Sequence, residues 1–521
     1  MIEPRIRAAR TRPPRANATF AAASAALGVA LTTAAGSATA GPFEPEIDLF
    51  GIGADARLAI DRGGPVHDAG DVDGDGSADI ILGAGPNSSV RVIFGTQSGV
   101  DGRFPVSILD GDNGFTIAAR GMSVGGGGDL NGDGLDDVVV GGVGESWVVY
   151  GRTERFPASF NVATLDGTNG FVFEATGDTV AIVPDTDGDG LDDLLVGSEG
   201  ADSAGFRDAG RVALVRGRRG TGPARLGPWN LDGENGTVFY GESTLNLLGW
   251  SAESAGDLNA DGLGDIVIGA PGTTVNGAVE AGRAYIVYGA AGRGPLLDLA
   301  TLGGADGFVF QGVDPEDTVG YSGRAAGDLN GDGVGDLALG APGKGPFGMP
   351  GPYPGEAHVV FGGASLGGAG DVIDRDALDG TSGFTLRGIR GGTATPAEGE
   401  IGWGDQAGSS VSAAGDINAD GLDDLIVGAP YTIINDARRG NGQVYVIYGR
   451  AGGGFPARLP LASLDGESGF RWTGAGTTDY TGFSVSRAGD WNLDGVDDVL
   501  VGASGQGESY IFYGRAGAAT P

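Results

Sequence analysis

The chain contains no cysteine, two histidines and a single lysine in 521 residues. Without cysteine there are no disulfides, thiol nucleophiles or zinc–thiolate sites, although the compartment stays open. The two histidines, His67 and His358, both fall in predicted strands and are read as structural. No Gly-x-Ser-x-Gly elbow, P-loop or His-Glu zinc motif is present. Positive charge is scarce too: 32 basic residues face 68 acidic ones, for a net charge of −36. Such a surface repels phosphates and anionic lipids, which argues against nucleic acid or an anionic membrane as partner. No window keeps the helical spacing of apolar residues, and no segment after the first forty residues approaches the ~20 apolar residues of a membrane span.

What the chain does have is glycine, 106 residues of it, placed on a repeat rather than scattered. Ahead of the repeats, five arginines between Arg5 and Arg15 precede a weakly apolar stretch from Ala18 to Ala35. Ala38-Thr39-Ala40 then offers a small-residue cleavage pattern before Gly41. Residues 1–40 are therefore expected to be an export signal and residues 41–521 the mature protein. That protein would be secreted, periplasmic or on the cell surface, with no C-terminal anchor.

One nine-residue pattern, Asp-x-[Asp/Asn]-x-Asp-Gly-x-x-Asp, occurs seven times, at 71–79, 129–137, 185–193, 257–265, 328–336, 416–424 and 490–498. Small residues ending in Gly precede most copies. A β-branched run follows, often closing on Gly-Ala-Pro, as in Ile266-Val267-Ile268-Gly269-Ala270-Pro271. A second run ends in an aromatic and Gly, such as Tyr288-Gly289. A further motif, Leu109-Asp110-Gly111-Asp112-Asn113-Gly114-Phe115, recurs at Leu165, Leu378 and Leu464, with weaker forms at Leu231 and Leu302. Short β-rich runs bounded by Gly, Asp and Pro are strands. Each unit supplies about four, so the expected fold is all-β, a seven-bladed β-propeller with four-stranded blades. The seventh unit stops before a fourth strand, whereas a spare segment lies ahead of the first loop. Residues Ala56 to Asp61 are predicted to close the last blade.

Ca²⁺ takes 6–8 oxygen ligands at roughly 2.3–2.6 Å, and acidic residues at alternate positions of a tight loop converge on one point. The predicted ligands are the side chains at positions one, three, five and nine and the carbonyl at seven. In the first loop these are Asp71, Asp73, Asp75, Ser77 and Asp79, and in the second Asp129, Asn131, Asp133, Leu135 and Asp137. The third offers Asp185, Asp187, Asp189, Leu191 and Asp193; the fourth Asp257, Asn259, Asp261, Leu263 and Asp265. The fifth has Asp328, Asn330, Asp332, Val334 and Asp336, and the sixth Asp416, Asn418, Asp420, Leu422 and Asp424. The last has Asp490, Asn492, Asp494, Val496 and Asp498. Up to seven structural Ca²⁺ ions are expected. An EF-hand is excluded, because position twelve is apolar (Leu82, Val140, Ile268) where that motif needs a bidentate Glu.

These residues resemble the FG-GAP repeat found in the propeller head of integrin alpha subunits. The "FG" half survives in degenerate form as Leu248-Gly249-Trp250-Ser251, Val319-Gly320-Tyr321-Ser322 and Thr481-Gly482-Phe483-Ser484. The resemblance implies metal loops between first and second strands on one face and ligand recognition on the other. The near-absence of lysine beside many arginines looks like a bacterial protein from a GC-rich genome. An adhesion or protein-interaction module is expected, with Trp403, Trp250, Tyr321, Tyr431 and Tyr353 as candidate ligand anchors and Phe347 beside them. The alternative is a carbohydrate-binding or carbohydrate-active propeller. In a related phospholipase family the propeller accompanies a separate catalytic domain, for which residues 41–521 leave no room, and the recognisable Asp residues are committed to calcium, so no catalytic residue is assigned.

Overall fold

The computed structural model describes residues 43–516 apart from 49–55, 62–63, 84–88, 96–101, 122, 204, 344–352, 364–365, 367–371, 390–403, 433–439, 475, 477 and 506. The expected export signal, Trp403 and Phe347 therefore lie outside the described residues. Strands and single 3-10 turns make up the regular structure, and none of the described helices is long and apolar enough to cross a membrane.

Seven sheets form a ring of blades. The inner strands are Val66–Gly70, Ser123–Gly128, Thr179–Val183, Ser251–Gly256, Ser322–Gly327, Ser410–Gly415 and Thr481–Gly489. Each packs against the next, and the last packs against the first, so the ring is closed. Space near the axis is short, which accounts for the glycine-rich inner strand of blade 2. A Cβ on Gly126 would sit 2.9 Å from the Ala69 Cα of blade 1, and one on Gly125 2.9 Å from the Val180 carbonyl of blade 3.

The second strands, from Asp79–Leu82 to Asp498–Ala503, are buried along their whole length. They are sandwiched between neighbouring sheets, so they read as continuous apolar runs rather than alternating ones. The hydrophobic core is correspondingly divided into seven clusters, one at each blade–blade interface. The cluster that joins blade 7 to blade 1 contains Leu58, Ile80, Ile93, Trp491, Leu500 and Ile511.

The closing strand is Arg57–Ile60, antiparallel to Glu508–Phe512, inside the range expected for it. The strand count needs correction, because each blade has five strands, not four. The fifth has two or three residues and runs parallel to the fourth. It comes from the segment between the third and fourth strands of the following blade, as Ser159–Phe160 does on blade 1. The detour covers part of an otherwise open sheet edge. Its two residues are too short to announce themselves as a strand in sequence. The N-terminal segment follows the same rule: Glu46–Asp48 forms the fifth strand of blade 6 before the chain enters blade 7.

Candidate functional site

The seven Asp loops leave the C-terminal ends of the inner strands and share one hydrogen-bond scheme. In the first, Asp71 accepts the N–H groups of Gly74, Asp75 and Gly76 at 2.8–3.0 Å. Asp73 accepts from Asp75 and Asp75 from Ser77. The carboxylate at position one thus draws the backbone around itself, and the side chains at three and five each close a further small turn. The glycine at position six has φ between 80 and 89° in all seven loops, the left-handed region where a side chain is strained. Position four is left-handed as well. There Ala260, Ala419 and Leu493 adopt φ of 58–59° without the freedom of glycine.

Position nine opens the second strand, and all seven of its aspartates are completely buried. One oxygen of Asp79 accepts the Val72 N–H at 2.9 Å and the other the Gly95 N–H at 2.8 Å. Asp137, Asp265, Asp336 and Asp424 repeat both bonds. The glycine after the third-strand aromatic is thereby explained, a role that sequence reading did not give it. A Cβ on Gly95 would lie 2.5 Å from the Ala78 carbonyl, so only glycine brings its N–H to the carboxylate.

Burial, assisted by the neighbouring loop carboxylates, pushes Asp79 and Asp498 up to about 8 and Asp336 up to about 7. Asp193 and Asp265 rise to about 6, and Asp137 and Asp424 are well above the ordinary carboxylate range, from the same cause. Carboxylate oxygens of Asp71, Asp73 and Asp79 lie within 4.8 Å of one another, as do those of Asp185, Asp187 and Asp189. In the other five loops position three is Asn. The donors are all oxygen, the set suited to a hard cation such as Ca²⁺.

A second set of aspartates, at position eight, was not singled out in the sequence. Asp136 of blade 2 accepts the Asp71 N–H of blade 1 at 2.6 Å. Asp192, Asp423 and Asp497 do the same for Asp129, Asp328 and Asp416 at 2.8–3.0 Å. Each ties a loop to the following blade. The glycine before the loop makes room, since a Cβ on Gly70 would overlap the Asp136 carboxylate at 2.1 Å. The available signal was the Asp-Asp dipeptide, present in these four repeats and absent from the other three.

The opposite ends of the inner strands surround the mouth of the central channel, a cavity of about 430 Å³. Trp250, Tyr321 and Tyr431 line it together, and the Trp250 and Tyr321 ring centroids are 5.2 Å apart. Tyr353 lies elsewhere, in a separate polar cleft, where its hydroxyl donates to Glu316 at 2.9 Å. Phe483 also lines the mouth and is 44% exposed. It fills the same slot as Trp250 and Tyr321, between the Gly and Ser of the degenerate motif. Asp178 and Glu199 of blade 3 add acidic groups to the rim.

Deeper in the channel, two charged side chains and a histidine, from three blades, meet. Arg324 donates to His67 and to Ser486 Oγ, and Glu253 approaches both Arg324 and His67 at 3.8 Å. Burial would raise Glu253, but Arg324 and His67 outweigh it and hold the carboxyl below its ordinary value. The His67 Nδ1 donates to the Asp68 carbonyl. His358 is fully enclosed against Phe310 and Thr385, and burial lowers it to about 3, so it stays neutral.

The FG-GAP repeat family profile matches residues 249–287, 319–360 and 407–447, the first three strands of blades 4, 5 and 6. Phosphatidylinositol-glycan-specific phospholipase D of Bos taurus is 31% identical over 242 residues, 45% of this chain and 25% of that protein. The Homo sapiens protein of the same name is 31% identical over 256 residues, 49% of this chain and 26% of its own length. Integrin alpha-5 of Xenopus laevis is 28% identical over 262 residues, 50% of this chain and 20% of the integrin. The chain spans about a quarter or less of the length of these relatives.

Proposed function

We propose that this chain, a seven-bladed propeller carrying FG-GAP repeats, is an exported, calcium-binding interaction module. Its Asp loops hold Ca²⁺ on one face, and the aromatic mouth at the other end of the inner strands receives a protein or glycan ligand. The observation that carries the calcium reading is the row of completely buried position-nine carboxylates, of which Asp79 has an oxygen within 4.8 Å of oxygens of Asp71 and Asp73. Burying such a charge uncompensated costs several kcal/mol. Among the described residues no ion pair reaches a position-nine carboxylate, and Asp187 is the one loop ligand that has such a pair. A divalent ion supplies the missing charge, and seven would move the formal balance from −36 to −22.

The ion would be held by the side chains at one, three, five and nine and the carbonyl at seven. It would neutralise their mutual repulsion and add stability only to the folded ring. Melting with and without a chelator tests this reading: a rise in midpoint with calcium is expected, and an unchanged midpoint overturns it. For the recognition face, rigid aromatic rings at a concave mouth make binding anchors. Trp250→Ala and Tyr321→Ala are expected to weaken capture of a ligand from a cell-surface extract by roughly tenfold or more. Full retention in both refutes the placement. Release of reducing sugar, or cleavage of a glycolipid anchor, by the purified chain would replace the binding reading with a hydrolytic one.

A further inference from the structure

The seven loops are not equivalent. In six blades the residue before the third-strand glycine is aromatic: Phe94, Tyr150, Tyr288, Phe361, Tyr448 and Tyr513. In five of these blades that ring meets the phenylalanine opening the fourth strand, at centroid distances of 5.8–6.3 Å. Blade 3 breaks both halves of the pair. Arg216 stands in the aromatic position and Thr237 in the phenylalanine position.

The Arg216 side chain, 7% exposed, turns toward the Asp loop, and its Nε lies 2.8 Å from Asp187 Oδ2. Its Nη1 donates to the Gly233 and Glu234 carbonyls, which fix the guanidinium in place. A second arginine, Arg219, reaches the Asp189 and Gly190 carbonyls at 3.4–3.5 Å. No other loop carboxylate among the described residues is ion-paired.

We propose that Arg216 supplies the cation of the blade 3 loop, so that this loop is the weakest calcium site and fills last. The inference rests on the calcium reading of the other loops. A Ca²⁺ ligated by Asp187 would stand within about 5 Å of the guanidinium. Repulsion between charges of +2 and +1 at that distance lowers affinity by at least about tenfold even when screened as in water. Loop 1 also has Asp at position three, Asp73, but no arginine, and is the internal control.

Calcium titration of the decalcified full chain, by calorimetry and equilibrium dialysis, is expected to show six tight sites and one at least tenfold weaker. The double variant Arg216→Tyr/Thr237→Phe restores the pair found in other blades and should bring the seventh site into the tight class. Should that variant not fold, Asp71→Asn and Asp185→Asn, at the position that is Asp in all seven loops, are compared at calcium sufficient for the tight class. Asp71→Asn should lose one ion and Asp185→Asn none. Seven sites of indistinguishable affinity, or equal losses from the two Asn variants, would overturn the assignment of Arg216 while leaving the calcium reading intact. No binding at any loop would overturn both.

Discussion

Calcium removal should make the stability of the ring fall as pH rises, the reverse of what ordinary paired carboxylates give. The cause is the row of buried position-nine aspartates. In the folded, calcium-free state Asp79 and Asp498 are pushed up to about 8, Asp336 to about 7, and Asp193 and Asp265 to about 6. In the unfolded chain each titrates near the ordinary ~3.9. Between these values the folded state holds more protons than the unfolded one, so stability declines with rising pH. For Asp79 the decline starts near pH 4 and is complete near pH 8, and its four-unit shift is worth on the order of 5 kcal/mol at most. Calcium must displace those protons, so at pH 7 binding should release about two protons or more per chain. Urea unfolding of exhaustively decalcified protein between pH 5 and 8, with calorimetry in buffers of different ionisation enthalpy, measures both effects. Stability that is flat or rises over this range, or binding without proton release, would refute the reasoning.

Three further outcomes follow from named contacts. Leu493→Gly relieves a left-handed side chain at a position where four other loops have glycine, and should raise stability by roughly 1 kcal/mol in thermal melts. Asp423→Ala removes the acceptor that ties the blade 5 loop to blade 6 and should cost about 1–3 kcal/mol. Ala78, in the corresponding position of blade 1, makes no such tie, so Ala78→Gly should stay within about 1 kcal/mol in the same assay. Glu253→Ala leaves Arg324 in the channel without its carboxylate and should cost roughly 3 kcal/mol by urea unfolding, more than any single rim substitution.

The blade number, the buried second strands and the closing strand at Arg57–Ile60 were all legible in the sequence. Each rests on a local signal repeated seven times or on a simple deficit at one end. The fifth strands were not legible, because two residues such as Ser159–Phe160 have no period of their own and pair only through tertiary placement. The residues of the Asp loops could be named from spacing, yet their burial could not. Sequence shows that Asp79 is acidic, but not that two sheets enclose it. Of the candidate aromatic anchors, Trp250, Tyr321 and Tyr431 come together at the mouth, whereas Tyr353 is drawn aside by Glu316. Phe483 was missed although it occupies the same slot as Trp250, because slot and exposure become linked only when the inner strands converge. Arg216 was visible as a break in an aromatic pattern, but its meaning needed the 2.8 Å approach to Asp187.

Residues 46–48 and 57–60 pair with strands more than 400 positions away, on blades 6 and 7. During synthesis, the first part of the propeller to emerge must therefore wait, unpaired, for the last. Blades 1 to 5 can zip up locally as they appear, but the annulus has a seam that is sewn only when both ends of the chain are free. A chain held back at either end, by a ribosome or a translocation pore, would remain a ring with a gap, and its two raw sheet margins would be the places where a chaperone binds or aggregation begins.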